Sequence, residues 1–234
     1  MKVFAHRGAS GEAPENSRAA IQIALDLPIF GVEIDVFAFD DDYVITHDRW
    51  LTRTTGIARR LNDLTKGELA ALSAGECQGH PQSILTLAEV LALGWDEKVL
   101  NLELKSIADM QHLHDYIKTH APDLPSGQIL LSSFNHHYLA SARQLQLPYE
   151  RGWLTASLPL QLAATAEDSG SDWISIDMAM LDEALVKDAH ARGLKVGVYT
   201  VDEEDDLALL LSMQVDAVFA NHPGRAAEFI RQNR

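Results

Sequence analysis

Short apolar runs alternate along this chain with longer segments in which apolar residues recur three and four apart. The short runs predict eight strands, over 3–5, 32–37, 99–104, 129–132, 152–154, 173–176, 195–199 and 217–219. The longer segments predict amphipathic helices, among them 17–25, 107–120, 160–168, 182–192 and 203–213. Alternation of this kind, without strand hairpins, argues for a parallel sheet. Eight repeats favour an α/β fold closed into a (β/α)8 TIM barrel over an open sheet. The rhythm breaks once, over 43–95, which holds a short strand ending at His47, the turn-rich Thr52-Arg53-Thr54-Thr55-Gly56, and helical pieces at 65–72 and 86–93. This is read as an insertion, about 48–98, after the second barrel strand. It would cover part of the active face without a core large enough to be a domain, leaving residues 1–234 as a single barrel domain.

In a strand, alternate side chains face opposite ways, so parity separates core from chemistry. Val32, Ile34 and Val36 take one face of the second strand; Glu33 and Asp35 take the other. The third strand repeats the pattern, with Leu100, Leu102 and Leu104 opposing Asn101, Glu103 and Lys105, and Ile174 and Ile176 likewise oppose Ser175 and Asp177. In a barrel the apolar sets would pack against the helices and the polar sets would line the interior near its mouth, where Glu33, Asp35 and Glu103 meet. Three adjacent carboxylates repel one another and are costly to desolvate, so they need a cation or protons. A divalent ion with hard oxygen ligands, Mg²⁺ or Ca²⁺, fits that donor set. The alternative is a structural ion network neutralised by Arg7 and Lys105. With a metal present, those two are free for phosphate, Arg7 as a two-pronged donor and Lys105 as a point charge.

His6 ends the first strand and His47 the short strand before the insertion. Facing each other across a phosphorus centre, they could serve as general base and general acid, since imidazole titrates near neutral pH. His112, His114, His120 and His190 fall on helical segments and read as exposed.

Composition narrows the class. An apolar share of 47% describes a globular chain able to bury a large core, and no apolar run approaches the ~20 residues of a membrane span. Met1 to Ala5 run straight into His6 without room for a signal-peptide core, so the expected location is cytoplasmic. Cys77 is alone, which excludes an internal disulfide. A net charge of -15 opposes nucleic acid and stable association with anionic membrane. A phosphate site must therefore be positive locally, which screening over ~8 Å permits. Nothing in the pattern sets the oligomeric state.

The series His6-Arg7-Gly8, Pro14-Glu15-Asn16, Glu33-Ile34-Asp35, His47-Asp48, Arg53-Thr54-Thr55, Glu103-Leu104-Lys105 and Ser132-Ser133-Phe134 resembles the glycerophosphodiester phosphodiesterases, and the likeness runs through Tyr199-Thr200-Val201 to the end of the chain. The resemblance implies a (β/α)8 barrel, a divalent ion on Glu33, Asp35 and Glu103, catalytic histidines His6 and His47, and phosphate contacts from Arg7 and Lys105. Glu15 matches an acid beside the metal. Asp202 stands where asparagine often follows Tyr-Thr-Val, and Asn221-His222-Pro223 replaces a common threonine-aspartate pair before the final proline.

The expected reaction is hydrolysis of a small-molecule glycerophosphodiester to sn-glycerol 3-phosphate and an alcohol. Two alternatives stay open: lysophospholipase D-like or cyclising phospholipase-like action on lysophospholipids, and a non-catalytic phosphodiester-binding barrel. Phe134, Trp153 and Tyr199, at or just beyond strand ends, are candidate pocket residues, and Trp50 and Trp95 could meet an acyl chain from the lid.

Overall fold

The computed structural model describes residues 1–233. Its elements follow in chain order as β1 (Lys2–His6), α1 (Arg18–Leu25), β2 (Gly31–Phe39), β3 (Asp42–Ile45), α2 (Thr52–Thr55), α3 (Lys66–Ala70), β4 (Ser73–Cys77), β5 (His80–Ser83), α4 (Leu87–Leu91) and β6 (Val99–Ser106). The second half alternates strictly: α5 (Met110–His120), β7 (Ile129–Ser133), α6 (His136–Gln144), β8 (Glu150–Thr155), α7 (Ala164–Asp168), β9 (Trp173–Asp177), α8 (Glu183–Ala191), β10 (Lys195–Tyr199), α9 (Glu204–Ser212), β11 (Ala217–Ala220) and α10 (Pro223–Gln232).

Eight strands, β1, β2 and β6 to β11, pair in parallel, and the β1–β2 pairing closes the ring. This is the (β/α)8 barrel that the alternation predicts. The outward parity sets, among them Val32, Ile34, Val36, Leu100, Leu102 and Leu104, are buried in one cluster with the helix faces. Each such side chain contributes roughly 1.5–3 kcal/mol by leaving water. The inward sets form two layers. Phe4, Leu130, Trp173 and Phe219 fill the floor, with Phe4 stacked on Phe219 at 4.9 Å between centroids. Two residues further along β1, β7, β9 and β11 the same face turns polar, at His6, Ser132, Ser175 and Asn221. The floor excludes water from below, and the chemistry-bearing layer lies toward the strand C-termini, where barrel active sites form.

Two hairpins that the alternation did not predict are present. β3 returns antiparallel along the upper half of β2, beginning where β1 stops pairing with it. β4 and β5 form a separate two-stranded antiparallel sheet; their sequences, SAGEC and HPQS, lack apolar alternation, and most of their side chains are partly or fully exposed. The predicted helix over 160–168 begins only at Ala164, since Leu162 takes a positive φ of 48° and Leu160 is fully exposed. The segment between β3 and β6 packs on the β2–β3 hairpin in a second small cluster, Phe39, Val44, Leu51, Leu61, Leu64, Leu69 and Ile84. Among the described residues, no helix is long and apolar enough to cross a membrane.

Candidate active site

Parallel register brings the polar residues together. His6 lies beside Glu33 across β1–β2, Asp35 beside Glu103 across β2–β6, and Glu103 beside Ser132 across β6–β7. The β2–β6 register skips Lys105, a bulge that turns the end of β6. Lys105 Nζ bonds Glu103 Oε1 and lies 3.0 Å from Asp35 Oδ1. His47 arrives on a different route. Thr46 N–H donates to the Asp35 carbonyl at 3.1 Å, which anchors the chain leaving β3 over the carboxylates.

The turn after β1 is equally constrained. Arg7 adopts φ 58° and Gly8 φ 77°, so the Arg7 N–H reaches Glu33 Oε2 at 2.8 Å. A Cβ on Gly8 would fall 2.7 Å from the Ala20 carbonyl carbon. Backbone strain of about 1–3 kcal/mol plus that overlap sets the expected cost of Gly8→Ala. Its melting temperature should fall by several degrees or more, and an unchanged melting curve would contradict this geometry.

Glu33, Asp35 and Glu103 are buried, and one oxygen from each lies within 4.8 Å of the others. Asn16 supports Asp35 twice, its Nδ2 donating to Oδ2 at 2.8 Å and its Oδ1 accepting from the Asp35 N–H at 3.2 Å. Glu33 Oε1 nonetheless has no hydrogen bond, and Asp35 Oδ1 has only its ion pair with Lys105. Leaving buried acceptors unmatched is costly, and burial together with Asp35 and Glu103 drives the Glu33 carboxyl well above the usual carboxylate range. Burial and then Asp35 raise Glu103 in the same direction. Burial acts to raise Asp35, but Lys105 and Arg7, with His47 and the Asn16 hydrogen bond, together outweigh it and hold that group low. Unmatched hard oxygens converging on one point suit a divalent cation.

Arg7 is already engaged, with Glu15 at 3.0 Å and Asp35 at 3.3 Å. Glu15 lies apart from the three-carboxylate cluster, clamped between Arg7 and Arg53; Arg53 also meets Asp48 Oδ2 at 2.7 Å. Asp48 Oδ1 in turn lies 2.7 Å from His47 Nδ1. His6 is held by a different partner, its Nδ1 lying 2.9 Å from Asn221 Oδ1. Burial and the Arg7 charge push His6 below the ordinary imidazole range.

His6, Glu33 and Glu103 line a cavity with Asn101, Phe134 and Tyr199, and Ser132, Leu154 and Phe219 complete it. Phe134 and Tyr199 meet edge to face at 5.9 Å. Trp153 is not in this cavity. Parity sends it to the helix side, stacked on His136, and Leu154 takes the inward place. Trp95 is buried in the main core with its indole N–H on the Val90 carbonyl, whereas Trp50 stays exposed. His114, half-buried against the Tyr149 hydroxyl, is less exposed than its helical position suggested. Asn16, Asp48, Asn221 and Asp202 enter the site without a role predicted for them. Extending the parity test two residues past Phe219 would have found Asn221.

A family model described as "Glycerophosphoryl diester phosphodiesterase family" matches residues 6–225. A glycerophosphodiester phosphodiesterase of Bacillus altitudinis is 30% identical, with 97% of each chain covered. An Oleispira antarctica phosphodiesterase, solved in complex with the product sn-glycerol-3-phosphate, is 33% identical with a TM-score of 0.90, covering 99% of this chain and 97% of that one. A glycerophosphodiester phosphodiesterase structure from Agrobacterium tumefaciens, at 22% identity, 97% and 99% coverage and TM-score 0.81, shares the fold.

Proposed function

The chain belongs to the glycerophosphoryl diester phosphodiesterase family, and from that premise we propose that it cleaves glycerophosphodiesters to sn-glycerol 3-phosphate and an alcohol, using a divalent ion on Glu33, Asp35 and Glu103 and proton exchange by His6 and His47. It is a phosphoric diester hydrolase; the ion and the histidine roles are our reading. The observation that carries that reading is the buried carboxylate cluster with Glu33 Oε1 unmatched, in strand register with His6. A bound divalent ion, Mg²⁺ or Ca²⁺, would supply Lewis-acid stabilisation of negative charge at the phosphoryl group.

The remaining work falls to the chain. Lys105 and Arg7, whose shared partner Asp35 would be one of the residues holding the ion, would bind the phosphate oxygens. His6, kept neutral at pH 7 by burial and Arg7, accepts the proton of the attacking hydroxyl. His47, oriented through Nδ1 by Asp48, donates to the departing alcohol. Phe134 and Tyr199 border the space for that alcohol and exclude water from one side. Attack by the glycerol 2-hydroxyl gives a cyclic phosphate that water then opens, whereas attack by water gives the product directly. An analogue lacking the 2-hydroxyl separates the routes: ordinary turnover selects water, and no turnover selects the cyclic path.

Chelated protein should not release choline from glycerophosphocholine, and restoring Mg²⁺ or Ca²⁺ should return activity with sn-glycerol 3-phosphate as coproduct. Full activity under chelation would refute the metal reading. Phe134 is 44% exposed at the mouth and Trp50 42% exposed on the insertion, which favours assaying lysophosphatidylcholine alongside; faster turnover of it would assign the lysophospholipid activity instead.

A further inference from the structure

We propose that Asn221 is a positioning residue that fixes the tautomer of His6, and that Asp202 fixes Asn221 in turn, so that His6 carries its proton on Nδ1 and offers a bare Nε2 to the substrate. This rests on the reading that His6 exchanges a proton with substrate. Two segments far apart in sequence from His6 build the device. Phe219 points into the barrel from β11, and Asn221, two residues on, keeps that direction. The Val201 N–H donates to the Phe219 carbonyl at 2.9 Å and ties the chain after β10 to β11, which brings Asp202 beneath Asn221.

Hydrogen-bond chemistry then leaves one arrangement. Asp202 Oδ1 accepts from the backbone N–H groups of Asn221 at 2.8 Å and His222 at 3.0 Å. Its other oxygen, Oδ2, accepts from Asn221 Nδ2 at 2.7 Å. An ionised carboxylate only accepts, so the amide nitrogen of Asn221 must face it and the amide oxygen must face away. That oxygen lies 2.9 Å from His6 Nδ1 and 2.9 Å from Ser10 Oγ. The Ser10 hydroxyl also reaches the His6 carbonyl at 2.7 Å, bracing the same backbone. A carboxamide oxygen only accepts, so Nδ1 of His6 must be the donor. In neutral imidazole the proton is then absent from Nε2, the nitrogen a general base uses.

The departures from the family pattern at Asp202 and Asn221 are therefore a single hydrogen-bonded unit. The same wiring would survive an exchange of the two side chains. Asn at 202 could accept the two backbone N–H groups through Oδ1 and donate through Nδ2, while Asp at 221 accepted from His6.

Nitrogen-15 NMR of histidine-labelled protein tests this above the titration range of His6, with the signal assigned by its loss in His6→Ala. The expected spectrum has a protonated Nδ1 and an unprotonated Nε2. In Asn221→Leu the proton should move toward Nε2, the form free imidazole prefers, and kcat should fall roughly 10–100-fold with KM about unchanged. Single Asn221→Asp sets two carboxylates together and should also lose activity. Adding Asp202→Asn should restore both the Nδ1–H signature and kcat to within about threefold, an order-of-magnitude expectation for a preserved hydrogen-bond set. A wild-type Nδ1 without its proton overturns the proposal, whether or not the variants fold. So does a folded Asn221→Leu that keeps tautomer and kcat, or a double variant no better than its worse single. Full activity of His6→Ala would instead remove the functional reading and leave the tautomer result standing.

Discussion

Replacing His47 by alanine should lower kcat on glycerophosphocholine by roughly 10²–10⁴-fold, and His6→Ala should do the same, the range expected when a positioned acid or base is removed. The two losses should not multiply in the double variant, because each removes one member of a coupled proton transfer. The substitutions are structurally mild for different reasons. His47 is about one-third exposed, and Asp48 keeps its bond to Arg53 without it. His6 is more enclosed, but its strand is held by register with β2 and β11. Both variants should therefore melt as single transitions and retain the stabilisation that added Mg²⁺ or Ca²⁺ gives. Steady-state kinetics beside thermal melting checks this. Activity surviving both single substitutions would show that other groups move the protons.

Added divalent ion should stabilise the metal-free protein strongly. At one hundred times its dissociation constant a ligand specific to the folded state contributes about 2.7 kcal/mol, roughly 5–11 °C in melting temperature for a domain of this size. Glu33→Gln should abolish that gain. It should also raise the melting temperature of the metal-free protein near neutral pH, the reverse of most core substitutions. The sign follows from linkage. With its folded pKa raised, Glu33 binds protons more tightly folded than unfolded, so stability is present at low pH and lost as pH climbs from the ordinary carboxylate range through the raised value. Glutamine removes that loss. Asp35→Asn should behave oppositely. Lys105 and Arg7 hold Asp35 low, so its contribution is present above the ordinary carboxylate range and vanishes with the substitution at all higher pH. Melting curves across pH 5–8, with and without ion, separate the two, and a destabilised metal-free Glu33→Gln would contradict the charge balance described.

Parity carried most of what the sequence discloses. Apolar alternation placed Glu33, Asp35 and Glu103 on the inward face because period-two side-chain direction is a local property of any strand, and parallel register did the rest. His6 was legible as the polar residue that ends the first apolar run. His47 was only half legible: the pattern marks a short strand before it, but not that this strand folds back antiparallel on β2 and ends at Ile45. The β4–β5 hairpin was invisible, because an exposed ribbon carries no apolar alternation. Trp153 was misplaced through neglect of parity, since Leu154 lines the cavity and a Cβ on Gly152 would meet the inward Ser132 and Leu130. The clamp of Glu15 between Arg7 and Arg53, and the link from Asp202 through Asn221 to His6, depend on loops converging from distant parts of the chain. No periodicity records such convergence, though the family resemblance had set Asp202 and Asn221 apart without saying that they touch.

The most direct measurement is an anomalous-scattering map from crystals grown with Mn²⁺, a hard ion of similar ligand preference. The expected result is one strong peak within roughly 2–2.6 Å of oxygens from Glu33, Asp35 and Glu103 together, absent in Glu33→Gln crystals. A peak elsewhere, or three carboxylates still neutralised by Arg7 and Lys105 alone at saturating ion, would contradict a metal-centred site.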